Sequence, residues 1–240
     1  MPNRDRLFHA WLVSVALSVL IFSVFPKVDL ATSRLFWDGA TFPLADSPAL
    51  QLLREAIWFL SLAVLLAALV GAVIAGLTGR PVARLSARCW TFLLSVNLLG
   101  PGLLVNAGLK THWGRARPDQ VEAFGGPQSF TPALMPTDQC LSNCSFTSGE
   151  AAASMALAIA VLLFAHRLHG RLSVWAILAA SALVLFGGGL RVAFGRHFLS
   201  DVVFSWLIVI GVALAVYQVM LRRKLPSPVT GPRAATPAEA

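Results

Sequence analysis

Six separate stretches of this chain, 7–25, 56–77, 89–109, 151–165, 172–190 and 202–221, are dominated by apolar residues, and a bilayer-spanning helix needs about 20 of them. The fourth is short and is expected to begin near Ser148. Backbone polar groups in hydrocarbon must be satisfied within their own segment, so each run is expected to be a helix. The fold expected is all-α, a bundle of six transmembrane helices in one domain over 1–225. Only 12% of residues are charged and 57% are hydrophobic, far from the roughly one-quarter charged content of soluble domains. The Pro-rich segment 226–240 has few large apolar residues and is expected to be disordered. Arg4 and Arg6 precede the first run as in a signal peptide. The run is long and lacks a small-x-small cleavage site, which favours a retained anchor.

Lys and Arg set the expected orientation. With both termini inside, the inner segments hold Arg4, Arg6, Arg80, Arg84, Arg88, Arg167, Arg171, Arg222, Arg223, Lys224 and Arg233, while most acids lie outside. A net charge of +8 would suggest a nucleic-acid partner in a soluble protein. Here inner-face anchors and one outer basic cluster explain it, and the partner expected is the bilayer, not nucleic acid. Cys140 and Cys144 fall in the long outer loop 118–147, where an oxidising compartment permits a disulfide between them; two free thiols are the ordinary alternative. Cys89, at a span end, reads as filler.

Ionisable residues at span ends are costly and therefore informative. They gather in three places: Lys110-Thr-His-Trp-Gly-Arg-Ala-Arg117-Pro118 after the third span, Thr147-Ser148-Gly149-Glu150 at the start of the fourth, and Arg191 to Asp201 between the fifth and sixth. The parity of crossings puts all three at one face of the membrane. Lys110, Arg117 and Arg191 would then supply fixed positive charge with guanidinium forks suited to phosphate oxygens. Ser148 and Gly149 would open a helix whose free N–H groups favour an anion. His197 and Asp201, four residues apart, would share a helix face, the carboxylate holding one imidazole nitrogen and leaving the other to attack phosphorus. No cluster of acids or histidines has metal-ligand spacing, so no metal or other cofactor is expected and the cations must stabilise charge. The ordinary alternatives are surface decoration for the His/Asp pair, snorkelling for span-end arginines, and solvent for Arg115 and Arg196. His112 is a possible second proton donor.

Together the three clusters resemble the type 2 phosphatidic acid phosphatase family of membrane phosphatases, whose signature is Lys-x6-Arg-Pro, Pro-Ser-Gly-His and Ser-Arg-x5-His-x3-Asp. Lys110 to Arg117-Pro118 matches the first block, Ser148-Gly149 the centre of the second, and Arg191, His197 and Asp201 the third. The resemblance implies that Lys110, Arg117, Ser148, Gly149 and Arg191 bind the phosphoryl group, that His197 becomes a phosphohistidine assisted by Asp201, and that the site is metal-independent and lies at the periplasmic face. Thr147 and Leu190 depart from the pattern without touching the reaction. Glu150 stands where the family has its acid histidine. Two readings of Glu150 are open: a carboxylic acid that protonates the leaving oxygen, or the glutamate of a capping box begun by Thr147.

The residues Val121-Glu-Ala-Phe-Gly-Gly, Asp138-Gln-Cys and Asn143-Cys-Ser-Phe-Thr-Ser-Gly-Glu resemble the bacterial lipid A phosphatase subgroup, including enzymes acting at the 4′ position. That resemblance implies a bacterial inner-membrane enzyme whose partner is a phosphorylated membrane lipid, with loop 118–147 shaping the headgroup pocket. The rival readings are an undecaprenyl diphosphate phosphatase, a lipid phosphotransferase, and a catalytically inactive lipid-binding or transport protein. Oligomeric state is not legible.

Overall fold

The computed structural model describes residues 3–170 and 172–221. The expected tail 226–240, and Arg171, Arg222, Arg223, Lys224 and Arg233 of the inner basic set, lie outside them. The regular elements are helical, and among the described residues there is no strand, only isolated bridges pairing Val82 with Leu85 and Val121 with Gln128. Six helices are long and apolar enough to cross a membrane.

The first span, α1 (Asn3–Val24), lies at the bundle edge against the last, α8 (Leu199–Leu221), where Trp11 Nε1 donates to the Leu207 carbonyl at 2.8 Å. Pro26 turns the chain into a short helix that hydrophobic runs could not reveal, α2 (Lys27–Arg34), whose Asp29 and Ser33 point inward and are buried. The second span, α3 (Pro48–Thr78), begins at Pro48 rather than at 56, because proline at the first turn is pre-set for helix and needs no N–H partner. That early start carries Arg54 onto the helix. Leu52, Phe59, Leu66 and Val73, each seven residues from the next, form an exposed stripe along α3, the side that acyl chains would cover.

The third span starts as α4 (Ala87–Asn97), widens into a π-helical stretch (Leu98–Leu109) and ends in the turn α5 (Lys110–His112). Pro101 lies inside the wide stretch, where a proline removes a helix hydrogen bond. The remaining spans are α6 (Gly149–His169), α7 (Val174–Ala193) and α8. The main core is built from Trp90, Leu93, Val96, Val105 and Val209 against the small residues Ala152, Ala156 and Ala160 of α6, and it includes Cys89. Small side chains let helices approach where no hydrophobic force drives them together.

Alternation of the spans leaves one end of the bundle holding the close of the third and fifth spans and the start of the second, fourth and sixth. All the unusual polar residues collect at that end.

Candidate active site

Helix α7 closes with Arg191, and the Arg191 carbonyl accepts hydrogen bonds from the N–H groups of both Arg196 (3.0 Å) and His197 (3.1 Å). The turn needs Gly195, which has φ +64° and would place any Cβ 2.4 Å from the Phe42 ring. His197 therefore sits in this turn, two residues before α8, and not on a helix face shared with Asp201. Asp201 lies in the first turn of α8, where its Oδ2 accepts from the Phe198 N–H at 2.8 Å. That bond is the reaching-back half of a capping box.

His197 is 1% exposed. Its Nδ1 lies 2.7 Å from the Ser145 carbonyl and 3.8 Å from Asp201 Oδ2. A carbonyl oxygen can only accept, so Nδ1 carries the proton and Nε2 is left with its lone pair. The expected direct hydrogen bond to the Asp201 carboxylate is thus replaced by one to the Ser145 carbonyl. Asp201 acts one residue removed, because its Oδ2 accepts from Ser145 Oγ at 2.5 Å. Burial pushes the His197 imidazole down to about 4, with Asp201 opposing and the positive charges of Arg191 and Lys110 assisting. The ring is neutral at physiological pH.

Arg191 and Lys110 lie near enough to act on this ring. Arg191 is 7% exposed, and its Nε is buried without a hydrogen-bond partner. Arg117 donates from Nη2 to the Asn143 carbonyl at 2.7 Å, and among the described residues no hydrogen bond or ion pair engages the half-buried ammonium of Lys110. Arg196, which sequence reasoning left to solvent, pairs with Asp119 at 2.7 Å and is about half exposed.

Glu150 does not close a capping box with Thr147. The N-cap of α6 is Ser148, whose Oγ accepts from Ala151 N at 3.3 Å, while Thr147 Oγ1 is buried without a partner. Instead the Glu150 carboxylate lies 3.5 Å from both Arg54 Nε and Arg191 Nη1. Ser148 is fully buried, and its N–H donates to Ser205 Oγ at 2.8 Å, so its polar groups are engaged within the protein. Gly149 is pressed against the third span, where a Cβ would lie 2.4 Å from Asn106 Oδ1. Of the first N–H groups of α6, that of Ala151 is capped by Ser148 Oγ, while those of Gly149 and Glu150 have no intrahelical acceptor, the kind of donor that suits an anion. His112 is exposed, with Nδ1 2.8 Å from the Gly108 carbonyl of its own helix, and stands apart from the cluster.

Sequence reasoning missed the layer beneath. Arg115 is fully buried rather than solvated. It donates to Asp201 Oδ1 (2.5 Å), Asp29 Oδ2 (2.8 Å), Ser200 Oγ (2.8 Å) and the Thr131 carbonyl (3.0 Å), and its guanidinium lies 4.3 Å from the Phe198 ring centre. Its position inside the Lys110–Arg117 block was the only available signal. Ser145 fell inside the Asn143–Glu150 segment that resembles the lipid A phosphatase subgroup, but no role was attached to it; Asp29 and Arg54 had no signal, being isolated polar residues far along the chain from their partners.

The first and second motif segments are stitched together by backbone bonds: Cys144 N donates to the Lys110 carbonyl at 3.3 Å and Ser145 N to the Arg115 carbonyl at 2.8 Å. Cys140 and Cys144 are joined in a disulfide with Cα atoms 5.6 Å apart, which closes a small ring beside Ser145.

A six-span helical bundle gathering cations and a free imidazole nitrogen at one end has the architecture of a membrane phosphatase. Residues 89–225 match the model of the PAP2 superfamily, and the chain belongs to that family. Among curated proteins it is 37% identical over 215 residues to "Lipid A 4'-phosphatase" of Rhizobium leguminosarum, covering 84% of this chain and 89% of that one. The protein of the same name from Rhizobium etli is 34% identical, with 84% of this chain and 80% of that one aligned. That of Francisella tularensis subsp. novicida is 41% identical over 55% of this chain and 59% of its own length. No solved structure matches the chain.

Proposed function

We propose that this protein is a multi-pass bacterial membrane phosphatase that removes the 4′ phosphate of lipid A through a phosphohistidine at His197. The observation that carries the reading is His197 itself: a neutral ring with Nδ1 committed to the Ser145 carbonyl, its Nε2 unprotonated, among Lys110, Arg117 and Arg191. Relatives named for lipid A 4′-phosphatase activity, aligned over most of the chain, supply the substrate.

In the first step Nε2 attacks phosphorus, the bond from phosphorus to the sugar oxygen breaks, and the three equatorial oxygens are held by Lys110, Arg117, Arg191 and the N–H groups opening α6. Glu150 gives its proton to the departing sugar oxygen. The carboxylate so formed is the species that pairing with Arg54 and Arg191 suits. Water then attacks phosphorus, the nitrogen–phosphorus bond breaks, Glu150 takes the proton from water, and phosphate leaves. Asp201 orients Ser145, and Ser145 orients the ring. The arrangement needs no metal ion or cofactor.

In this reading both termini lie in the cytoplasm and the site at the periplasmic face of the inner membrane; the basic residues at the opposite ends of the spans support this orientation. Lipid A, a polyprenyl diphosphate and phosphatidate, each offered with chelator to the detergent-solubilised protein, test the reading. Free phosphate released fastest from lipid A, with loss of the 4′ group, is expected. Preference for the polyprenyl substrate, transfer to an acceptor without free phosphate, or no turnover of any lipid would each replace it with one of the rival functions.

A further inference from the structure

Asp29 lies outside every motif that identifies the site and Arg115 is an unspecified position within the Lys110–Arg117 block, yet the two form a buried and fully hydrogen-bonded pair. Asp29 and Arg115 are both fully buried, and they come from α2 and from the loop after α5. Asp29 Oδ1 accepts from Ser200 N at 2.9 Å, and its Oδ2 accepts from Ser200 Oγ (2.5 Å) and Arg115 Nη2 (2.8 Å). The other arm of the same guanidinium holds Asp201 Oδ1 at 2.5 Å. Asp201 in turn holds Ser145 Oγ, and the Ser145 carbonyl holds His197 Nδ1. An unbroken chain of hydrogen bonds therefore runs from the short helix α2 to the imidazole.

Burying so many charges for stability alone is a poor use of them, since apolar residues of equal volume often serve as well or better. A fully satisfied network does, however, fix geometry. Two carboxylates also share one guanidinium here. When both are ionised, the layer under His197 keeps one net negative charge, placed where the ring turns cationic on forming its bond to phosphorus.

Resting on the phosphohistidine reading above, we propose that Asp29 is a positioning residue for phosphoryl transfer, acting through Arg115 and Asp201 to aim Nε2 of His197 and to balance the charge the ring gains.

Two anions separate aiming from mere folding. Orthovanadate adopts a five-coordinate geometry when an aligned Nε2 bonds to it, whereas inorganic phosphate asks only for the cations above. Asp29→Asn keeps the shape of the side chain and removes its charge. In full-length protein in detergent, this variant is expected to bind orthovanadate on the order of tenfold more weakly, with phosphate affinity within about twofold of wild type. With lipid A as substrate, kcat falls by a similar factor and KM stays near its wild-type value. Ser200→Ala, which removes the hydroxyl shared by Asp29 and Arg115, gives a smaller change of the same kind and serves if Asp29→Asn does not fold.

Unchanged orthovanadate affinity in a folded variant, or equal loss of both anions, overturns the positioning role. Wild-type protein that binds neither ion overturns the reading of the site itself, a distinguishable result.

Discussion

Two layers of charged side chains meet at His197, and they are built on opposite rules. The lower layer, Asp29, Arg115, Asp201, Ser145 and Ser200, is sealed from solvent, and each of its members is hydrogen-bonded within the protein. The upper layer, Lys110, Arg191, Glu150 and Arg54, keeps loose contacts of 3.5 Å or none among the described residues, and the Nε atoms of Arg54 and Arg191 are buried without hydrogen-bond partners. Buried donors are ordinarily satisfied, so a cluster that leaves them open is set for a ligand that brings its own oxygens. In the proposed reaction the saturated layer would hold the nucleophile and the layer with free donors would receive the phosphate.

Breaking the point where the layers meet has the largest expected effect. His197→Ala should lower phosphate release by on the order of 10⁴-fold or more, about 5.5 kcal/mol of transition-state stabilisation, while the protein still folds; a phosphate-release assay beside a melting curve checks this. Next is the lower layer. Arg115→Met leaves two buried carboxylates without their cation and should cost about 3–5 kcal/mol of stability, measured as a large drop in melting temperature in detergent. A variant as stable as wild type would show that the layer is not a buried ion network.

Acid sharpens the comparison. Burial lowers the His197 ring to about 4 from a free value of 6.5, so below 6.5 the unfolded chain binds a proton that the folded one refuses. Stability should therefore decline as pH falls from about 6.5 towards 4, by roughly 3 kcal/mol in all, and kcat/KM should keep its nucleophile down to about pH 4. An acidic limb near 6.5 would mean a solvated ring.

In the upper layer, Glu150→Gln removes the proton carrier and should lower kcat about 10²-fold, near 2.7 kcal/mol, with little change in melting temperature. Equal activity in the folded variant would remove Glu150 from the reaction. The smallest effect is expected at the rim. Replacing Cys140 and Cys144 by serine opens a short ring and should cost at most about 2 kcal/mol, with a modest rise in KM as the segment bonded to Arg117 loosens; unfolding and initial-rate measurements read both.

The spans themselves were legible because hydrocarbon is an exacting solvent. It demands helices, penalises charges, and so leaves apolar runs and displaced ionisable residues visible in a single chain. Crossing parity alone brings Lys110, Arg117, Glu150, Arg191, His197 and Asp201 to one end of the bundle. The turn that removes His197 from α8 was not legible, because it depends on Gly195 meeting Phe42, two residues 153 positions apart.

What the chain determined by itself was therefore the count of membrane-spanning helices, their shared polar end and the identity of the groups gathered there. Tertiary structure alone decided which of those groups are satisfied. Arg115, which the sequence left to solvent, is locked to Asp29 and Asp201, 86 residues away in each direction, while its near neighbour Arg117, the motif arginine, bonds the Asn143 carbonyl. Hydrogen-bond partners so far apart leave no local period or spacing to read, since only the folded bundle brings them within bonding distance.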